Sequence, residues 1–455
     1  MTAPASGPEA SEAHDAPGLP GLLDELRWRG MLHAATPGLE ERLSSGRAIA
    51  GYNGFDPSAD SLHVGHLVPM MGLVRFQRRG GRPVALVGGA TGMIGDPSGR
   101  SGERNLLDRP TLEANVAAIG EQLARFLDFA PGVSQAEMVN NLDWTDGVPV
   151  LDFLRDVGKH FTIPYMLAKD SVQQRLDRGL SFTEFSYMLL QAFDFRHLFL
   201  EHGVELQMGG ADQWGNITAG LELIRRTAEG GEVGVEAGGR AEGGEGFGPA
   251  HGIAYPLLLS PSGTKFGKSE GGESIWLDER RTSPFAFYQY WLNSADRDVG
   301  VYLRWFTLLD RDEIAAVEAE QAARPETRPA QRALARRVTA LVHGEDAATN
   351  AIRVSEAAFS REPIRDPSIL EALHEAVDGF TWTDADVAAG VVGFLVATGT
   401  FASNGEARRM VAGGGVTIND ERVQPTDSAL PQPIDGVWFV VRIGRRRIRV
   451  GRRAG

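Results

Sequence analysis

Two histidines three residues apart, His63 and His66 in HVGH, follow an apolar stretch, Arg47–Phe55, and a DPSADS turn. At the start of a helical run, i and i+3 share a face. That face lies at the positive end of a helix dipole, where phosphates bind in parallel α/β sheets. Gly65 between them lets a flat ligand approach the backbone. A zinc pair would need a third ligand, which the neighbourhood lacks, and two incidental surface histidines are the plainer alternative. The Gly-rich stretch VGGATGMIGDPSGR, Val87–Arg100, could wrap a nucleotide. It has neither the P-loop ending nor the G-x-G-x-x-G spacing, so a tight turn fits it equally. In TEFSYMLLQAFDF, Tyr187, Gln191 and Asp194 fall at i, i+4 and i+7 and make one polar stripe. The stripe either binds a polar ligand or faces solvent, and periodicity alone favours solvent. In GGADQWGN, Gly209–Asn216, Asp212 could hold ribose hydroxyls or cap a helix. In PSGTKFGKS, Lys265, Lys268 and Ser269 can reach phosphate oxygens, unless the loop is merely exposed. This pair stands out because only Lys159, Lys169, Lys265 and Lys268 among 46 basic residues are lysine. A compact ammonium is not interchangeable with a planar guanidinium.

These residues need a scaffold. Arg47–Phe55 reads as a strand, His63–Arg79 as a helix stopped by Gly80-Gly81, and RPVALVGG as a buried strand. Such a unit implies a right-handed crossover and a parallel sheet. Thr111–Phe129 and Ser181–His202 read as helices, the second with Ser181 and Glu184 as a capping box. VELQMGG reads as a strand and Asn216–Arg226 as a helix. Thr282–Ala358 is mainly helical, Asp366–Asp384 resembles a hinge, and a small unit follows from about Val387. There Ser403 and Glu406 form a second capping box, and VTIND-ERV resembles two strands about a turn.

The whole chain, 455 residues with 42% apolar and 23% charged, is that of an ordinary globular protein. The absence of cysteine excludes disulfides, thiolate metal sites and cysteine nucleophiles. No apolar run approaches membrane-spanning length, and residues 1–20 read as a disordered leader without signal-peptide features. The expectation is a cytoplasmic protein. Net charge is −14, but Phe401–Gly455 carries ten Arg against five acidic residues. A basic end on an acidic body suggests contact with a polyanion, or else a solvated strand.

The order and spacing of these motifs resemble the class I aminoacyl-tRNA synthetases, and more closely the bacterial tyrosyl-tRNA synthetase family. The likeness is carried by YNGFDPSADSLHVGH, ALVGGATGMIGDPSGR, FTEFSYMLLQAFDF, GGADQWGNITAGLELIR and TKFGKSEGGESIWLD. It implies an α/β fold: a Rossmann-like catalytic domain at 21–280, with a flexible Gly-rich loop at 230–248 and a KMSKS-type loop at 265–269. A helical anticodon-binding domain at 281–375, a linker at 376–386 and a small alpha-L type RNA-binding α+β domain at 387–455 would follow. It also implies that His63, His66, Lys265, Lys268 and Ser269 act on ATP phosphates. Gly54, Asp56, Ser58, Gly65 and Gly210 would join them around ATP, with Asp212 on the ribose. Tyr52 and Asp194 match residues that hydrogen-bond the substrate phenol; Asp96, Tyr187 and Gln191 match those around its ammonium group, and Gln213 a pocket residue. Arg100 stands where the family usually has Lys. The implied substrates are L-tyrosine, ATP and tRNA(Tyr), with Mg²⁺ arriving on ATP, no protein-held metal, Arg408 and Arg409 on RNA, and a homodimer joined through Val150–Met166. The rivals are a tryptophanyl-tRNA synthetase, a catalytically idle RNA-binding factor and a nucleotidyltransferase that uses no tRNA.

Overall fold

The computed structural model describes Leu19 and residues 21–96, 107–169, 172–173, 176, 179–229, 250–258, 274–360, 362–376, 379–424, 429–444 and 447–455. The leader, Pro97–Arg100, the 230–248 stretch, and Lys265, Lys268 and Ser269 lie outside the described residues, Leu19 excepted. The chain divides into two compact units, Met1–Leu277 with Val301–Leu309, and Asp278–Gly300 with Asp310–Gly455.

The first unit is built on strands β1 (Ala34–Ala35), β2 (Ala50–Phe55), β3 (Arg82–Val87), β4 (Glu137–Asn140), β5 (Val204–Gly210) and β6 (His251–Tyr255), in the order β1-β6-β5-β2-β3-β4. All neighbours are parallel except β1 and β6. Strands β2, β3 and β5 are buried on both faces because helices cover both sides, as in parallel sheets generally, and the polar Asn53, Glu205 and Gln207 are buried with them. Ala50, Tyr52, Val84 and Leu86 pack with Phe195, Leu198 and Phe199 of the helix Phe182–His202. From β2 the chain winds to β3 and β4 on one side, and later to β5 and β6 on the other. The crevice beyond the carboxyl ends of β2 and β5 is therefore the topological switch point, where such sheets hold ligands.

Local signals explain most boundaries. Ser181 Oγ accepts from the Glu184 amide, and Gly203 ends the helix at φ 62°. The Gly-rich stretch is partly helical: Gly89–Ile94 forms a short helix after β3. Gly88 is required there, because a Cβ would strike Thr91 Oγ1 and Asp56 Oδ1. Arg75, 1% exposed, is the most deeply buried cation of this unit among the described residues. It donates to the carbonyls of Met71, Arg304, Trp305 and Thr307. It thereby satisfies carbonyls orphaned at the end of the helix Asp296–Phe306. Burial first, and then Arg29, pushes its pKa down to about 9.

The second unit pairs β7 (Phe380–Trp382), β8 (Val416–Ile418), β9 (Glu421–Arg422), β10 (Trp438–Ile443) and β11 (Arg447–Arg453) in the order β7-β11-β10-β8-β9. β8 and β9 pair antiparallel about Asn419 and Asp420, both at positive φ, a conformation these two side chains tolerate. The stretch resembling a hinge holds the helix Pro367–Ala376 and β7, which pairs parallel to β11. Phe285, Val354, Leu370 and Leu373 from the helical part share one core with Trp438, Val440, Ile448 and Val450 from the sheet. The linker expected at 376–386 thus contributes a strand, and the modules on either side of it are packed together.

Candidate active site

Each element delivers its side chains to the switch point by its own local geometry. At the carboxyl end of β2, Tyr52 is 2% exposed, Gly54 is exposed, and the chain turns through Asp56 and Ser58. His63 caps a single 3₁₀ turn, Val64–His66, that leads into the helix Leu67–Arg78. Its Nδ1 accepts from the Gly65 amide at 3.0 Å, and the His66 Nδ1 accepts from the His63 amide at 3.1 Å. An acceptor Nδ1 leaves the proton of a neutral ring on Nε2. Both imidazoles are therefore Nε2–H donors, with ring centroids 4.0 Å apart. The bridge between His63 and Trp276, with Val64 N donating to Ile275 O at 3.0 Å, holds Ile275 and Trp276 beside this turn.

The polar stripe of the helix Phe182–His202 faces inward, opposite to what periodicity alone favours. Tyr187 and Asp194 are buried and Gln191 is half-buried. The solvent side of the helix is instead carried by Thr183, Ser186, Arg196 and Glu201, which are exposed or half-buried. Asp194 Oδ2 accepts from Asn141 Nδ2 at 2.8 Å, and Oδ1 from Trp144 Nε1 at 2.9 Å. Burial pushes the Asp194 carboxyl up to about 7; the bonds from Asn141 and Trp144 pull it down, and Asp56 pushes it up again. Burial, with the Asp194 charge behind it, holds the Tyr52 phenol well above its usual range. The Tyr52 hydroxyl is buried and has no hydrogen-bond partner among the described residues. A desolvated hydroxyl beside a desolvated carboxyl costs free energy unless something completes the set.

A second chain of contacts crosses the crevice. Tyr187 Oη lies 3.3 and 3.4 Å from the Asp56 carboxylate, which also accepts from Thr91 Oγ1 at 3.1 Å. Gln213 Nε2 donates to Asp96 Oδ2 at 2.6 Å. Asn216 Nδ2 donates to Gln191 Oε1 at 3.0 Å and to Gln213 Oε1 at 3.1 Å. Asp212 and Gln213 sit on the 3₁₀ turn Ala211–Gln213 just after Gly210 at the end of β5. The structure brings Tyr52, Asp56, Tyr187 and Asp194 into one set of interactions and Asp96, Gln191 and Gln213 into another, and it places Asp212 and the two histidines on turns that follow β5 and β2 of the same unit. Sequence reasoning missed Asn141, Trp144, Thr91 and Asn216. Asn141 and Trp144 stand in NNLDWT, which carries no motif; only the need of a buried Asp194 for donors pointed toward them.

No cluster of metal-ligating side chains occurs among the described residues. In the second unit Arg408 and Arg409 are exposed on the helix Asn404–Ala412. The tail is less available than its charge suggests. Arg442 donates to Ala358 O and Arg449 to Thr398 O, while Arg452 pairs with Glu371 and Arg453 with Asp384.

A parallel sheet with paired histidine donors on its first crossover, and an acidic strand-to-helix turn across the switch point, defines a class I aminoacyl-tRNA synthetase fold. Residues 44–360 match the family model for class I tRNA synthetases of the W and Y type, and 370–449 the tyrosine–tRNA ligase SYY-like C-terminal domain. The tyrosine–tRNA ligase of Roseiflexus castenholzii is 49% identical over 444 residues, covering 93% of this chain and 97% of that one. The tyrosine–tRNA ligase of Geobacillus stearothermophilus is 47% identical over 431 residues, covering 94% and 98%. The structure of a C-terminally truncated Aspergillus nidulans mitochondrial tyrosyl-tRNA synthetase is similar at TM-score 0.65 and 32% identity, covering 74% of this chain and 93% of that one. The chain belongs to the tyrosine–tRNA ligase family. Its reaction activates L-tyrosine with ATP, releasing pyrophosphate, and then transfers tyrosine to the terminal ribose of tRNA(Tyr).

Proposed function

We propose that the phenol of tyrosine inserts between Tyr52 and Asp194, and that this contact selects the amino acid. The observation that carries it is the buried Tyr52 hydroxyl, without a hydrogen-bond partner among the described residues, beside a buried carboxyl. Asp96 and Gln191, joined through Gln213 and Asn216, hold the ammonium group together with Tyr187, whose hydroxyl rests on Asp56. Asp212 takes the ribose of ATP, and Gly54, Asp56, Ser58, Gly65 and Gly210 line its path. The tyrosine carboxylate is already an anion and attacks the α-phosphorus without a general base. Catalysis is then positioning plus stabilisation of phosphate charge. His63 and His66 donate through Nε2–H, and Lys265, Lys268 and Ser269 close on the leaving pyrophosphate. Mg²⁺ accompanies ATP. The helical stretch 281–375 meets the anticodon, Arg408 and Arg409 meet tRNA phosphates in the 387–455 region, and the enzyme works in the cytoplasm.

The reading includes a homodimer. Its support is an exposed apolar strip, Val150 at 69%, Leu151 at 76%, Leu154 at 50% and Ile163 at 58%, more than a solitary surface needs. Sedimentation should give twice the chain mass, and Leu151→Glu should shift it to the single chain. The selection step is tested by tyrosine-dependent ATP–pyrophosphate exchange in Asp194→Ala. Loss of the preference for tyrosine over phenylalanine supports the assignment, and an unchanged ratio refutes it.

A further inference from the structure

Trp144 donates to Asp194, but the element that carries it cannot position it alone. The helix Leu142–Thr145 has four residues, too few to be stable by itself. The indole must be held by packing: it lies against the core that includes Tyr52, Phe195 and Phe199, and its ring stacks on His197. The two rings are stacked with centroids 4.4 Å apart and planes 17° apart. His197 lies three residues beyond Asp194 in the helix Phe182–His202, so both point to one face. The helix therefore grips the indole twice, at Nε1 through Asp194 and on its flat side through His197. No hydrogen bond holds the His197 ring among the described residues. Behind it, His202 lies 5.7 Å from His197, ring to ring. His202 Nδ1 is 2.8 Å from Glu137 Oε1, and Glu137 Oε2 accepts from Arg82 Nη1 at 2.8 Å. β3 and β4 thus hold fixed the neighbour against which His197 rests.

We propose that His197 is a positioning residue for amino-acid selection, holding the Trp144 indole in the plane from which Nε1 donates to Asp194. The proposal rests on the reading of Asp194 as the phenol ligand. Without the stacked ring the indole can tilt about its own side-chain torsions, and its N–H then leaves the carboxylate. A carboxylate with one donor fewer is more easily protonated, and the protonated form no longer offers its anionic oxygen to a phenol. The loss falls on tyrosine, which uses that acceptor, and spares phenylalanine, which does not.

The experiment measures kcat/KM for tyrosine and phenylalanine in ATP–pyrophosphate exchange. His197→Ala should lower the tyrosine preference about ten-fold, mainly through KM for tyrosine, as expected for weakening a hydrogen bond to a charged group. His197→Phe keeps a flat ring and should recover most of the preference. It also serves where the Ala variant does not fold, since a near-native preference in the Phe variant is still required. In Trp144→Phe, which lacks the indole N–H, adding His197→Ala should leave the preference within about two-fold. An unchanged preference in His197→Ala overturns the proposal, as does a fall of equal size in the Trp144→Phe background. Asp194→Ala, run in parallel, separates the two layers: a preference that survives it refutes the phenol assignment itself.

Discussion

Tyrosine affinity should depend on pH through Asp194. The carboxyl is fully enclosed, and burial sets its pKa at about 7 against the pull of Asn141 and Trp144. A phenol hydroxyl donates to the ionised form, so the protonated fraction of the unliganded enzyme must release its proton before binding. Binding is therefore weaker below the pKa and levels off above it. About one site in ten is ionised at pH 6 and about nine in ten at pH 8, so Kd should be roughly ten-fold larger at pH 6. Neither the ordinary phenol nor an ordinary carboxylate titrates in that window. Asp56, His197 and His202 lie nearby, and the control for them is Asp194→Asn, which should bind tyrosine weakly but with a flat profile. Calorimetry from pH 5.5 to 8.5 on both proteins measures this. Equal affinity at the two pH values, tighter binding at pH 6, or the same slope in the Asn variant would refute the reasoning.

Lys265→Ala and Lys268→Ala should slow single-turnover activation by ~10²-fold or more while tyrosine Kd holds, because their work falls on the transition state. Quenched flow with a parallel binding titration checks this, and lost tyrosine affinity would contradict it. Arg75→Met should cost about 3 kcal/mol, since the carbonyls of Arg304, Trp305 and Thr307 lose a buried donor; an unshifted urea midpoint would count against that. Replacing Arg408 and Arg409 by Ala should weaken tRNA binding and lower the log–log salt slope by about 1 per arginine. Filter binding at several salt concentrations should show this with pyrophosphate exchange unchanged, and an unaltered slope removes both from the interface.

The sequence alone determined the elements that local chemistry dictates. Strand β2, the helix begun by HVGH, the Ser181 and Ser403 caps and the positive-φ Asn419-Asp420 turn all stand where the residue types require them. Motif order alone pointed to the family, because a specific string of chemistry-bearing residues is a local, ordered property of the chain. What the tertiary structure decided depends on residues distant in the chain. Whether the Tyr187–Asp194 stripe faced solvent or ligand was undetermined by period, since a helix that also carries polar residues elsewhere looks the same either way. Only packing against β2 and the Asn141–Trp144 turn brought it inside. The basic tail reads as one available charge until Glu371, Asp384 and two carbonyls are folded against it. The 376–386 stretch reads as a linker, because three strand residues carry too little pattern to register until β11 lies beside them. Charge, periodicity and turn chemistry are written locally; burial is a relation between segments, and it set the pKa of Asp194 and left the Tyr52 hydroxyl without a partner among the described residues.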